Sequence, residues 1–583
     1  MHQQLTQIII FILSIVVLSA CTKPETTTND TVNTANAADV IYVNANVITL
    51  DDKNTQAEAM AIKDGEIVFI GTNEDMASLK GPDTQINDLN GSTLLPGFID
   101  AHGHFLQTGV LAMSANLLPP PDNGVDSIDK LIDALKAEEN SDITKSVGWI
   151  LGMGYDDAQL SEQRHPTKED LDRVSTEIPV LAIHQSSHLG AINSKAIEVL
   201  GITNAQEDPD GGKFRRDADG NINGVVEETA FFYVGTLALS KISEELNLQA
   251  LQASEKAFFK SGFTTSQEGR ASINEVALLN IASEQNLLDI DVSIFPDPTF
   301  FEDENVFIDD VMSQHGQDYK NGIKVGGIKL SLDGSPQVKT AWLTKPYHVP
   351  LEGQDEDYKG YPQVPDEVLQ KWVDMSHENN WQVLAHVNGD AAIDKYIEII
   401  ANAKQKFPQV DVRPVAIHAQ TAREDQLDKM AELDIIASLM SVHTFYWGDW
   451  HFESVLGPER ASRISPAKSA LEKGVVVTSH NDAPVTLPNS QMILYSMVNR
   501  LSRSKRLLGG DERVSVEQAL RAITSSAAYQ IYEQDTKGTL EVGKKADMVI
   551  LDSNPFEIEP EALLDLKVLE TIKGGKVVYS ATK

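Results

Sequence analysis

Cysteine is nearly missing from this chain: Cys21 is the single one among 583 residues. A lone thiol excludes an intramolecular disulfide and any structural zinc site built on cysteine thiolates. Positive charge is scarce too, with 48 Lys and Arg against 86 Asp and Glu and a formal net charge of −38. A chain this acidic has no evident basic face for neutralising phosphates, which argues against nucleic acid as a partner. The surplus carboxylates read as a strongly solvated surface. Long apolar runs are absent apart from Ile8 to Leu18, which is too short to span a bilayer comfortably. What remains is ordinary for a folded protein: 41% hydrophobic and 23% charged residues. The length fits one large domain with appendages, or two to three domains.

The short apolar run ends in Leu18-Ser19-Ala20-Cys21, small residues before a cysteine. This resembles a lipoprotein signal, which implies removal of residues 1–21 and lipidation of Cys21. Met1 to Gln7 departs from the usual signal in carrying no Lys or Arg. Thr22 follows the cysteine where Asp would favour the inner membrane. The expected location is therefore the cell envelope, on the periplasmic side and at the outer membrane, with the membrane met only through the lipid. Residues 22–38 are polar and rich in Thr and Asn, and read as a flexible tether.

From Asp39 short alternating strands begin, among them Val40 to Val43, Asn46 to Leu50, Ala59 to Ile62 and Glu66 to Ile70. The C-terminal end repeats the pattern at Ala546 to Leu551 and Lys576 to Tyr579. Residues 39–95 and 536–583 are thus expected to build one small β-domain. Between them, strand-length apolar runs alternate with helix-length amphipathic stretches, as in Val383 to Ala385 followed by Ala391 to Lys406. Strand then helix, repeated, implies parallel strands with crossover helices. The expectation is a (β/α)8 barrel over 96–535. That is far longer than the usual ~250 residues, so an insertion is placed at about 105–250.

His102-Gly103-His104 follows the apolar run Leu94 to Ile99. In a strand, residues i and i+2 share a face, so both imidazoles can reach one metal. Later strands offer further donors at their ends: His386 after Val383 to Ala385, His418 after Val415 to Ile417, and Asp482 after Val475 to Ser479. The separations, 418 − 386 = 32 and 482 − 418 = 64, match one and two strand–helix units. These side chains should surround the C-terminal mouth of one barrel. Lys329, inside Ile328-Lys329-Leu330, is costly to bury as a free ammonium. It should therefore be paired, with Asp333 as the partner, or neutral, or carbamylated. Asp390 is expected to cap the helix beginning at Ala391. Trp342, Tyr446 and Trp447 read equally as pocket lining or as a surface cluster, and Glu227-Glu228, which could reach the site from the insertion, read rather as solvated acids.

Several stretches resemble the amidohydrolase superfamily, and within it the YtcJ-like branch (amidohydrolase family 3) that includes N-substituted formamide deformylases. They are Leu95 to His104, Ile183 to Ser194, Lys329 to Ser335, Ala385 to Asp390, Ile417 to Gln420, Asn481 to Val485 and Gly538 to Asp552. The resemblance runs from about Asp39 to the end. It implies an α/β fold: a TIM-like (β/α)8 barrel beside a β-sandwich formed from both chain ends. It further implies metal ligation by His102, His104, Lys329, His386, His418 and Asp482, with Lys329 as a bridging, carboxylated lysine between two ions.

The expected cofactor is a divalent metal, Zn²⁺ by its liking for imidazole and carboxylate, as one or two ions. The expected chemistry is hydrolysis of a C–N bond in a small-molecule amide, N-formyl or cyclic amide by metal-activated water, with Asp482 as general base. A second donor to the carbonyl oxygen is sought among His184, His188 and His443, with His188 preferred. Ester or carbamate hydrolysis on the same centre, and a non-catalytic metal-bearing surface lipoprotein, stand as alternatives. A homodimer is carried as a candidate assembly.

Overall fold

The computed structural model describes residues 37–581, except 210, 240, 241, 317 and 352. Cys21, the signal and most of the tether lie outside the described residues. No helix among the described residues is long and apolar enough to cross a membrane.

Two sheets near the chain ends pack into a β-sandwich. A four-stranded sheet orders Glu66–Gly71, Ala59–Lys63, Val40–Val43 and Gln85–Asp88. A six-stranded sheet mixes both ends, because Met548–Leu551 pairs antiparallel with Thr93–Pro96. Tyr42, Met60, Ile62, Leu94, Met548 and Ile550 fill the shared core. Neither end has enough alternating apolar surface for a core of its own, so their mutual burial explains why the sandwich needs both.

Thr93–Pro96 leads straight into the barrel. Its eight parallel strands follow chain order: β1 Phe98–Ile99, β2 Phe263–Ala271, β3 Asp291–Pro296, β4 Ile323–Ser331, β5 Gln382–Val387, β6 Val415–His418, β7 Ile436–Leu439 and β8 Val477–Ser479. Strand β4 is interrupted at Gly326. Its first half (Ile323–Val325) pairs with β3 and its second (Gly327–Ser331) with β5, so the break joins the two halves of the barrel. Gln530 ties the other seam, donating to the Ala101 carbonyl (2.8 Å) and accepting from Thr478 (2.7 Å). Strands such as β5 to β7 are buried on both faces, which is why they read as apolar runs rather than alternations.

Residues 115–228 form a separate six-stranded sheet in the order Gly212–Arg216, Ile222–Glu228, Leu189–Ile192, Val180–His184, Ile150–Tyr155 and Ala115–Asn116. Apolar clusters cover both of its faces. The helices on either side of it, Phe105–Ala112 and Glu244–Lys260, pack against each other at the barrel. Gly109 permits the approach, since a Cβ there would lie 1.8 Å from the Ala250 carbonyl oxygen. The insertion sheet is thereby hung over the C-terminal end of the strands.

Candidate metal centre

Six side chains converge at that end. His102 and His104 follow β1, Lys329 lies in β4, His386 in β5, His418 ends β6, and Asp482 follows β8. His102 Nε2 and His104 Nε2 lie 3.5 and 3.4 Å from Asp482 Oδ1, and His418 Nε2 lies 3.8 Å from Asp482 Oδ2. His386 Nδ1 is 3.2 Å from His418 Nε2. Lys329 Nζ is 3.0 Å from His102 Nε2. His386, His418 and Asp482 edge a narrow pocket that is also lined by Ser186, His188, Gln337, Asn388 and His443.

The backbone is held in an uncommon conformation at several of these points. His418 (φ 71°), Asp482 (φ 55°), Ser187 (φ 57°) and Glu228 (φ 47°) all sit in the left-handed region. Such residues cost of order 1 kcal/mol or more each, and they cluster where side chains must be aimed. Gly269 of β2 makes room for His102, because a Cβ there would fall 2.3 Å from the ring.

The donor set fits a divalent ion. Asp482 Oδ1 is buried without a hydrogen-bond partner, yet two imidazole nitrogens stand at 3.4–3.5 Å, too far to donate a good bond. Two ligands each ~2.0–2.2 Å from one tetrahedral ion are separated by about 3.3–3.6 Å, the spacing found here. Burial and the neighbouring Lys329 push His102 well down, and burial does the same to His418, which favours the unprotonated imidazole that a metal ion needs. Burial alone would raise Asp482, but His418, His104 and His102 overcome it and hold the carboxylate well below its usual range. Lys329 is pushed down to about 7, chiefly by burial.

Lys329 and Asp333 are not paired. Asp333 spends its oxygens on the backbone N–H groups of Trp342, Asn388 and Gly389 at 2.8–3.0 Å. That corrects one of the readings of Lys329 and leaves its Nζ against His102. Other expectations change as well. Asp390 does not cap its own helix, whose N-cap is Gly389; its carboxylate binds Thr344 and Arg423. Tyr446 and Trp447 are buried rather than a surface cluster, and Trp447 donates to Asp156 (2.9 Å). Glu228 is not solvated: it is 5% exposed and its Oε2 lies 2.9 Å from His188 Nδ1.

Of the three histidines considered as second donor, His188 and His443 line the cleft. His184 is turned away. The Ser186 backbone N–H donates to its Nδ1 (3.0 Å), so the ring proton is on Nε2, facing Asp157 at 3.1 Å. Asp156, Asp157 and His184 form a second, largely buried cluster, in which Asp156 also accepts from Trp447.

Three groups escaped the sequence reading. Glu268 of β2 is fully buried, accepts from the Leu106 N–H (2.8 Å), and holds Oε1 3.9 Å from His104 Nδ1. Burial and the neighbouring Glu275 push its carboxyl well up. His480 stacks edge-on to His102 (5.3 Å between ring centroids), and burial pushes it down to about 4. Asp100, two residues before His102, is raised by burial and by Asp482. Asp100 lay within a stretch already singled out and His480 stood between two of them, each at spacing i±2 from a ligand. Glu268 had no such signal.

A sequence profile described as the Amidohydrolase family matches residues 85–579. The chain belongs to the amidohydrolase family. It is 26% identical to YtcJ of Bacillus subtilis (strain 168) over 538 residues, 91% of this chain and 98% of that protein. It is 24% identical to an N-substituted formamide deformylase of Arthrobacter pascens over 555 residues, 93% of this chain and 99% of that enzyme. Among solved structures, an uncharacterized metal-dependent hydrolase from Pyrococcus horikoshii superposes with a TM-score of 0.71 at 22% identity, covering 89% of this chain and 99% of that one. That likeness shows the shared fold. For an amidohydrolase, donors gathered at the C-terminal mouth of the barrel are where chemistry is expected.

Proposed function

We propose that this amidohydrolase cleaves a C–N bond in a small amide, N-formyl or cyclic amide substrate, with His102, His104, His386, His418 and Asp482 holding one or two divalent ions. Zn²⁺ suits this imidazole and carboxylate set. The observation that carries the reading is the unpartnered Asp482 Oδ1 among buried imidazoles, beneath a cleft lined by His188. The deformylase among the relatives supports the C–N bond as target.

A divalent ion in this set supplies Lewis acidity and lowers the pKa of water from ~15.7 towards ~7. Asp482, held ionised, takes the proton of the attacking water at Oδ2 and delivers it to the leaving nitrogen. His188 lines the cleft, but with its proton on Nδ1 toward Glu228 its Nε2 can only accept, so it orients the scissile amide by taking a hydrogen bond from the substrate N–H. The insertion excludes bulk water, which strengthens both interactions. Lys329 as a free ammonium would donate to His102 Nε2 and compete with its use as a ligand. Reaction of the neutral amine with dissolved CO₂, with loss of a proton, would remove that conflict and give an anionic carbamate, so we assign Lys329 as a carboxylated lysine that would complete the ligand set.

The test is direct. The chain from Thr22 onward is purified, its metal is quantified, and N-formyl, acyl-amide and ester panels are assayed with and without chelator. Chelator-sensitive amide turnover supports the reading; preferential ester turnover, or none together with no bound metal, contradicts it. Lipidation at Cys21, an outer-membrane location facing the periplasm and the tether at 22–38 belong to the same proposal. Mass spectrometry of the N-terminal peptide from membrane fractions tests them.

A further inference from the structure

Glu228 takes no part in the hydrolysis as proposed, yet it is buried directly against His188, which lines the cleft. It ends the insertion strand Ile222–Glu228, immediately before the helix Thr229–Leu239, with its backbone at φ 47°. Glycine would suit that conformation better than a side-chain-bearing residue. What the position gains from glutamate is a carboxylate turned back on His188. Oε2 lies 2.9 Å from His188 Nδ1, and the Glu228 backbone N–H donates to the His188 carbonyl at 2.8 Å. Oε1 is buried and has no partner among the described residues. The His188 ring is further fixed by Phe232 and His386, each with centroids at 6.2 Å, and the His188 backbone N–H donates to Ser186 Oγ at 3.3 Å.

A carboxylate can only accept, so a hydrogen bond at Nδ1 requires the proton on Nδ1. The other nitrogen, Nε2, is then the one presented to the cleft. Carboxylate–imidazole pairs of this kind set the tautomer and orientation of a working histidine, and losing the outer partner costs 10–100-fold. We propose that Glu228 is a positioning residue that holds His188 in the Nδ1–H tautomer with Nε2 facing substrate. The effect on catalysis rests on the role given to His188 above. The tautomer does not.

Two measurements on the full chain test it. In protein labelled with ¹⁵N-histidine, the His188 signals are assigned by their loss in His188→Ala, and long-range ¹⁵N–¹H correlations report which ring nitrogen is protonated. The proton is expected on Nδ1 in the wild type and in Glu228→Gln, which keeps an acceptor, and shifted to Nε2 in Glu228→Ala. An unchanged tautomer in Glu228→Ala overturns the proposal. With an amide substrate, Glu228→Ala is expected to lower kcat by about tenfold or more with KM little changed, and Glu228→Gln to restore most of it. Added to His188→Ala, the alanine variant should cost nothing further, whereas additive losses would mean Glu228 does not act through His188. A wild type without amide turnover would sink the hydrolase reading, and the tautomer result would still decide the positioning role.

Discussion

At the N-terminal end of the barrel, Asp291 opens β3 with Lys537 and Lys573 at 2.6 Å each, and Lys573 also binds Asp547 at 2.7 Å. Glu533 pairs with Lys537 at 2.6 Å and with Lys324. At the C-terminal end, Asp482 has an oxygen with no hydrogen-bond partner and imidazoles standing just beyond bonding range. Both clusters are buried, so both have lost water. One regains the lost solvation through ion pairs, which fixes the barrel against the sandwich that supplies Lys573 and Asp547. The other leaves donors aimed at a common space and holds its backbone at left-handed φ values to do so. A fully paired buried cluster can lock a fold, and a deliberately unpaired one stores binding capacity for a ligand. The two ends teach which buried charge is architecture and which is chemistry.

The largest expected effect lies at the unpaired end. Asp482→Asn should cut kcat by about 10³–10⁴-fold while leaving the melting temperature of the chelated protein unchanged or raised. A loss of both together would place Asp482 among the structural acids instead. At the paired end, Lys537→Met strips one buried partner from Asp291 and Glu533, and about 3–5 kcal/mol of stability should go with it. Denaturant titration checks this, and kcat per folded molecule should stay within about twofold.

Acid separates the ends further. Burial works against an ionised Glu533, but Lys537 and Lys324 outweigh it and lower its pKa from 4.5 to about 2. A depressed carboxylate stabilises the fold fully above its unfolded pKa and loses that contribution as pH falls through the folded value. Melting temperature should therefore decline between pH 4.5 and 2, and Lys537→Met should flatten that decline. The smallest effect is steric. Gly269→Ala should push His102 out of line and reduce kcat by about tenfold, with little change in stability beyond ~1–2 kcal/mol.

Much of the barrel was legible because its strands are buried on both faces. Val383 to Ala385 and Val415 to Ile417 announce themselves as short apolar runs, and each is followed by a histidine that the structure brings to the mouth. Strand β2 was not legible. Its sequence, Phe-Thr-Thr-Ser-Gln-Glu-Gly-Arg-Ala, is polar where a barrel strand should be apolar, because Glu268 serves the site from the barrel interior. Glu228 was misread for a related reason. Two adjacent glutamates look solvated in sequence, and only the fold shows that Glu227 meets Arg215 while Glu228 turns inward to His188. Local pattern reports burial of apolar groups well, but it is blind to polar groups buried for a purpose.

The most direct test of the account is metal content after exhaustive dialysis against metal-free buffer and reloading with Zn²⁺, compared across the two ends. The wild type and Lys537→Met should each retain one to two ions per chain, and the His102→Asn/His104→Asn double variant should retain fewer, with chelator-sensitive amide turnover lost in parallel. Equal metal in all three proteins, or none in the wild type, would contradict the assignment of the unpaired cluster as a metal centre.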